Sequence, residues 1–219
     1  MSGSGDKTAL CAAVVRTAQG LDAAGFCPSK SGNVSIRHGD GMLITPSGLP
    51  YAAMQADDIV EIDLEGRRTG GSERKASSEW PFHAAIYKAR PDATAVVHTH
   101  SPCATALSCA RRDIPAFHYM IALAGGSDIR CAPYATFGTQ ALADNAVTAL
   151  EGRRAVLLAN HGVIAIGQTL EGAQTLAGEV ENLARQYLAL LAAGLEPVIL
   201  DRAEMERVTA QFKGYGRAV

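Results

Sequence analysis

The chain has 219 residues, 47% hydrophobic and 19% charged, which suits one globular domain over residues 1–219 with a sizeable core. Its 20 basic and 22 acidic residues are interspersed and leave a formal charge of −2, which offers no footprint for nucleic acid or an anionic membrane. The five cysteines are odd in number with no C-x-x-C pair, and no apolar run nears the ~20 residues of a membrane span, so a cytoplasmic protein is expected, with residues 1–7 a polar start outside the fold.

Apolar residues at helical spacing from Thr8 to Ala24, closed by Gly25, predict an opening helix. NVSIRH alternates and joins MLIT through a glycine-containing turn, which predicts a hairpin. TPSGLPY is a tight turn, and DDIVEID with LEGRR gives a further strand and turn. In SSEWPFHAAIYKARP the serines cap an amphipathic helix from about Ser78 to Lys88, stopped by Pro91. ATAVVHTH reads as a short strand feeding a helix at SPCATALSCARR. IPAFHYMIALAGG and CAPYATFG are loop-rich, TQALADNAVTALEG is a helix, and AVLLANHGVIAIG is strand–turn–strand. A long amphipathic helix follows at LEGAQTLAGEVENLARQYLALLAAG, and a last one covers Asp201 to Phe212. The mixture points to an α/β fold with helices on both faces of a mixed sheet; the hairpins argue against a purely parallel one.

Alternate strand residues share a face, so His98 and His100 point the same way, roughly 7 Å apart at Cα. At that separation two imidazoles can converge on one ion with bonds of about 2.1 Å. Alone, the pair reads as well as two hydrogen-bonded histidines at a strand end. His161, at the end of a second apolar strand, can add a third imidazole, with Gly162 letting the chain turn sharply. Glu79, at the start of its helix, can add a carboxylate. Such a set suits zinc first, with manganese or cobalt as alternatives. His83 shares the helix face of Glu79 and is either packed inside the fold or a partner of that carboxylate. His38 reads as solvated, and His118 carries no assignment.

Three small polar clusters have the makings of an anion cradle: Ser31 to Asn33, Thr45 to Gly48, and Ser77 with Ser78 at a helix N-terminus. Each alone reads first as a turn or a cap, and only their convergence would make a phosphate site.

Taken together, SGNVSIR, DGMLITPSGLPY, SSEWPFHAAIYKARPDATAVVHTH, IPAFHYMIALAGG, CAPYATFGT, NHG and FKGYG resemble the class II aldolase/adducin superfamily, and within it the L-fuculose-1-phosphate aldolases, from about Ala9 to Gly216. The resemblance implies a three-layer α/β/α sandwich with a largely antiparallel central sheet, assembled as a homotetramer with sites at subunit interfaces. It makes His98, His100 and His161 the Zn2+ ligands, and Glu79 a fourth ligand that becomes the acid/base when substrate binds. It gives Gly32, Asn33, Ser47, Gly48, Ser77 and Ser78 to the phosphate of a small sugar substrate. Tyr119 becomes the proton donor to the aldehyde oxygen in a neighbouring subunit's site, and Phe137 and Tyr215 shape the aldehyde end. The implied reaction is reversible cleavage of a ketose 1-phosphate to dihydroxyacetone phosphate and a short hydroxyaldehyde. The alternatives are a pentulose-phosphate 4-epimerase, a sugar-acid phosphate decarboxylase and a non-catalytic adducin-like scaffold. The scaffold is opposed by the intact histidines, and the epimerase by SSE, where epimerases resemble SSD.

Overall fold

Val96 and Val97 are adjacent, fully buried, and belong to two different apolar clusters. Only a strand covered on both faces allows this, because successive side chains leave it in opposite directions. The same alternation separates Val156 from Leu157 and Val163 from Ile164. The strands are buried twice, and the fold is a sandwich.

The computed structural model describes residues 4–214, with side chains for 7–212. The elements in chain order are α1 (Ser4–Ala23), β1 (Asn33–His38), β2 (Gly41–Ile44), β3 (Val60–Asp63), β4 (Arg68–Gly71), α2 (Trp80–Ala89), β5 (Ala95–Thr99), α3 (Pro102–Cys109), β6 (Ile114–Pro115), β7 (Asp128–Ile129), β8 (Cys131–Ala132), α4 (Gln140–Ala149), β9 (Ala155–Leu158), β10 (Gly162–Gly167), α5 (Leu170–Ala192) and α6 (Arg202–Gly214). Eight strands form one sheet in the order β4-β3-β2-β1-β5-β10-β9-β8, and β6 pairs with β7 apart from it. Within the large sheet every pairing is antiparallel except β8 with β9. Buried residues of α1, α3 and α5 cover one face, and those of α2 and α4 the other. No helix among the described residues is long and apolar enough to cross a membrane.

Two expected boundaries move. The first helix begins at Ser4, four residues before the start read from its apolar spacing. The helix after the serines begins at Trp80, with Glu79 as its N-cap and a proline in its first turn. Proline costs little there, because the first N–H groups of a helix lack intrahelical partners.

The antiparallel order places the site. β1, β5 and β10 lie side by side at the centre, with Asn33 opposite His98 and Ile164 opposite His98 on the other flank. The end of β5 therefore meets the starts of β1 and β10 at one sheet edge. Glu181 of α5, 2% exposed, accepts hydrogen bonds of 2.9 Å from the N–H groups of both Cys103 and Ala104. Its carboxylate caps α3 directly after His100 and fixes the chain where it leaves the site.

Candidate metal centre

His98 lies in β5, and His100 follows one residue beyond its end. The strand is shorter than the HTH spacing suggested, yet the two imidazoles converge, with Nε2 atoms 3.0 Å apart. His161 sits in the tight turn between β9 and β10. The left-handed residue of that turn is Asn160 (φ 54°), and Gly162 has no positive φ. The turning role assigned to Gly162 thus belongs to Asn160, a residue type that tolerates this region. Gly162 is required for closeness instead: a Cβ there would lie 2.4 Å from the Thr99 carbonyl oxygen.

Glu79 completes the cluster. Its Oε1 lies 3.1 Å from His161 Nε2 and its Oε2 3.3 Å from His98 Nε2. One ligating atom from each of the four residues falls within 4.8 Å of all the others. The three rings stand edge-on, with centroids 4.8–4.9 Å apart and interplanar angles of 71–82°.

The protons fit a cation. His98 Nδ1 donates to the Val163 carbonyl at 2.9 Å, which leaves Nε2 as the ring nitrogen turned toward the other three residues. Burial, and then His98 and His161 nearby, push His100 down to about 3, leaving it neutral at physiological pH. Burial works to raise the Glu79 carboxyl, but His98 and His161 outweigh it and hold it well below the usual carboxylate range. Glu79 Oε1 is buried with no hydrogen-bond partner. Three inward imidazole nitrogens and an orphaned carboxylate oxygen are what a divalent transition metal needs.

Above the cluster lies a cavity of about 330 Å³, bordered by Glu79, His100 and His161 and by all six residues expected to hold phosphate: Gly32, Asn33, Ser47, Gly48, Ser77 and Ser78. They do not contribute alike. The N–H of Ser47 donates to Lys75 and that of Ser77 to Thr45, so both are occupied by backbone. The N–H groups of Gly32, Gly48 and Ser78 donate to no protein acceptor among the described residues. Gly32 has φ +83°, and a Cβ there would meet the His98 carbonyl oxygen at 2.6 Å; Tyr51 Oη steadies this turn by donating to the Gly32 carbonyl at 2.6 Å. The Asn33 side chain is buried and turned toward Glu79, donating to Oε2 at 2.9 Å.

Phe137 borders the cavity, 64% exposed, together with Tyr134 at 54%. Tyr119 does not border the cavity of its own chain; it is half exposed and stacks on His118 with centroids 4.9 Å apart. Tyr215 lies outside the described residues. His118 Nδ1 accepts from the N–H of Met120, capping a short turn, and His38 is partly buried against Glu61 rather than freely solvated. Lys30, Tyr134 and Asn160 also border the cavity and had no assignment from the sequence beyond Asn160's place beside a ligand. Lys30 and its neighbour Ser29 have positive φ, 65° and 56°, which no glycine announces.

A sandwich gathers three histidines and a glutamate, a set that could hold a metal ion, beneath a pocket with unpaired amides. The profile of the Class II Aldolase and Adducin N-terminal domain matches residues 12–188. A 5-methylthioribulose-1-phosphate/5-deoxyribulose-1-phosphate aldolase of Rhodospirillum rubrum is 53% identical over 212 residues, covering 97% of this chain and 95% of its own. An L-fuculose phosphate aldolase of Escherichia coli is 46% identical over 211 residues, covering 96% and 97%. Among solved structures, an L-fuculose 1-phosphate aldolase superposes with a TM-score of 0.90 at 41% identity, covering 96% of this chain and 98% of its own. The chain belongs to the class II aldolase and adducin family, and it is an aldolase, a lyase of the metal-dependent class.

Proposed function

We propose that the protein reversibly cleaves a ketose 1-phosphate between C3 and C4 into dihydroxyacetone phosphate and a short aldehyde, using one Zn2+ per subunit. The observation that carries this reading is the opening of the His98, His100, His161 and Glu79 cluster into the same cavity as the free N–H groups of Gly32, Gly48 and Ser78. A phosphate held by those amides and by the hydroxyls of Ser47, Ser77 and Ser78 brings the reacting carbons over the histidines. A divalent ion held by His98, His100 and His161, with Glu79 released to act as the acid/base, would supply Lewis-acid stabilisation of the negative charge that develops on the substrate oxygens. In the condensing direction Glu79 takes the proton from C3 of dihydroxyacetone phosphate, C3 bonds to the aldehyde carbon, and Tyr119 gives a proton to the aldehyde oxygen. Glu79 then loses its proton to solvent and Tyr119 regains one from it, so the enzyme is restored; cleavage is the reverse.

Tyr119 stands away from its own cavity, so this role requires a second subunit, and a homotetramer with interfacial sites is part of the proposal. The favoured substrate is a pentulose 1-phosphate whose C5 carries hydrogen or methylthio. This is supported by the Rhodospirillum relative and by the apolar rings of Tyr134 and Phe137 beside the cavity. L-Fuculose 1-phosphate is the second reading, supported by the Escherichia relative. Zinc-loaded protein incubated with each ketose 1-phosphate is expected to release dihydroxyacetone phosphate, fastest from the 5-deoxy or 5-methylthio compound. Epimerisation of a pentulose 5-phosphate with no release from any ketose 1-phosphate would reject the reading.

A further inference from the structure

Behind Glu79 a line of buried polar groups runs into the fold. Asn33 Nδ2 donates to Glu79 Oε2 at 2.9 Å, and Asn33 Oδ1 lies 2.5 Å from His83 Nε2. On the other side of the ring, His83 Nδ1 is 2.7 Å from Ser35 Oγ, itself 2.8 Å from Tyr87 Oη. Asn33, Ser35, His83 and Tyr87 are each 2% exposed or less.

The donors and acceptors along this line have one consistent order. An amide oxygen only accepts, so His83 carries its proton on Nε2 and donates to Asn33. With the proton on Nε2, the bare Nδ1 accepts from Ser35, and Ser35 accepts from Tyr87, whose hydroxyl also lies 3.3 Å from the Thr94 carbonyl. Flipping the Asn33 amide would set its oxygen against the Glu79 carboxylate, two acceptors with no proton between them, so the NH2 faces Glu79 and the oxygen takes the His83 N–H. The carboxylate sets which way Asn33 faces, His83 holds the amide there from behind, and Asn33 in turn holds one oxygen of Glu79. The two carboxylate oxygens become unequal: Oε2 holds the amide bond, while Oε1 faces the His161 imidazole 3.1 Å away and takes no amide.

We propose that His83 is a positioning residue for proton transfer, acting through Asn33 to hold Glu79 Oε2 and leave Oε1 as the oxygen that exchanges a proton with substrate C3. This rests on the aldolase reading above. Buried His83 and Ser35 do not border the cavity, and an all-apolar filling of the same space would remove the hydrogen bonds that orient Asn33.

The test is exchange of the C3 proton of dihydroxyacetone phosphate with deuterated water, followed by NMR without aldehyde, on zinc-loaded protein. His83→Leu is expected to slow exchange at least about tenfold, within the range general acid–base catalysis contributes. Zinc content and the Kd for dihydroxyacetone phosphate are expected to stay within about twofold of wild type, since positioning is separate from binding. His83→Gln, whose amide can donate to Asn33, is expected to recover most of the rate. Ser35→Ala removes a single hydroxyl and reads the same line if the larger change unfolds the protein; exchange should again fall with zinc retained. Unchanged exchange in these variants, or exchange that falls only in step with zinc or ligand binding, overturns the role of His83. Wild-type protein that neither exchanges nor cleaves overturns the aldolase reading, and this one with it.

Discussion

Nε2 of His98 lies 3.0 Å from Nε2 of His100, and the Nδ1 of His98 is already committed to the Val163 carbonyl. Without a cation the pair must share one proton; with one, both lone pairs bind it. Metal removal therefore costs stability as well as chemistry. A ligand present at 1,000 times its Kd adds about 4 kcal/mol to the folded state. Exhaustive chelation is expected to abolish dihydroxyacetone phosphate release and lower Tm by several degrees, and added Zn2+ to restore both. A chelated protein with an unmoved Tm would mean that the cluster holds no ion.

A second consequence concerns Gly162. A methyl group at this position would meet the Thr99 carbonyl oxygen at 2.4 Å and ring carbons of His100 and His98 at 3.1 and 3.2 Å. Relief requires β10 to move away from β5 or the imidazoles to turn. Overpacking of this kind costs roughly 1–3 kcal/mol, and displaced ligands lose affinity. Gly162→Ala is expected to weaken zinc binding about tenfold or more, a size seen when metal-ligand supports are disturbed, as read by competition with a chromophoric chelator. Full zinc affinity would show that the strands absorb the methyl elsewhere.

This glycine also marks where the sequence stops being readable. Continuous apolar runs ending in HTH and NHG reveal two strands and the three histidines at their ends, because burial on both faces leaves a plain pattern. Nothing in NHG tells whether glycine serves a turn or a close approach, since that depends on β5 lying alongside. His83 was legible only as a helix-face neighbour of Glu79; its bond to Asn33 spans 50 residues and exists because α2 lies over the face of β1 that carries Asn33 and Ser35. The serine and glycine clusters were visible, but not that Ser47 and Ser77 spend their N–H groups on Lys75 and Thr45.

Acid should weaken the metal-free fold through the same histidine. Burial pushes His83 from its ordinary 6.5 down to about 3, so the folded protein keeps it neutral while the unfolded chain protonates it below 6.5. Its contribution is fully present above pH 6.5 and is lost as pH falls toward 3, with a slope of up to ~1.4 kcal/mol per pH unit per proton. His100 moves in the same direction over the same window, and Glu79 adds to the loss only below its ordinary 4.5. Urea unfolding of metal-free protein at pH 7, 6 and 5 is expected to show falling stability. His83→Gln should flatten that slope by about one proton, and an unchanged slope would place the uptake elsewhere.

Ser29 and Lys30 both hold positive φ, a conformation that costs an L-residue roughly 1–2 kcal/mol. Lys30 ends that strained turn at the cavity edge, next to the Gly32 side of the cradle. Asparagine tolerates the same backbone but carries no charge. Lys30→Asn is therefore expected to raise Tm slightly while weakening inhibition by inorganic phosphate several-fold, with the effect shrinking at high salt. If stability and phosphate affinity fall together, the lysine serves the fold rather than the anion.

Tyr119 and Glu79 allow the interfacial part of the proposal to be tested without knowing the substrate in detail. Tyr119 is 50% exposed and absent from the cavity that Glu79 borders, so in one chain the two cannot serve the same substrate. Glu79→Gln is expected to bind dihydroxyacetone phosphate but lose about 10²–10⁴ in turnover, and Tyr119→Phe to keep its zinc and lose a comparable share. If the tyrosine of one subunit completes the site of another, unfolding and refolding the two variants together creates some sites with both groups intact. The mixture should then exceed the activity of either variant refolded alone. Additive activity in a mixture shown by mass to contain hybrid assemblies would confine each site to a single chain and remove Tyr119 from the reaction.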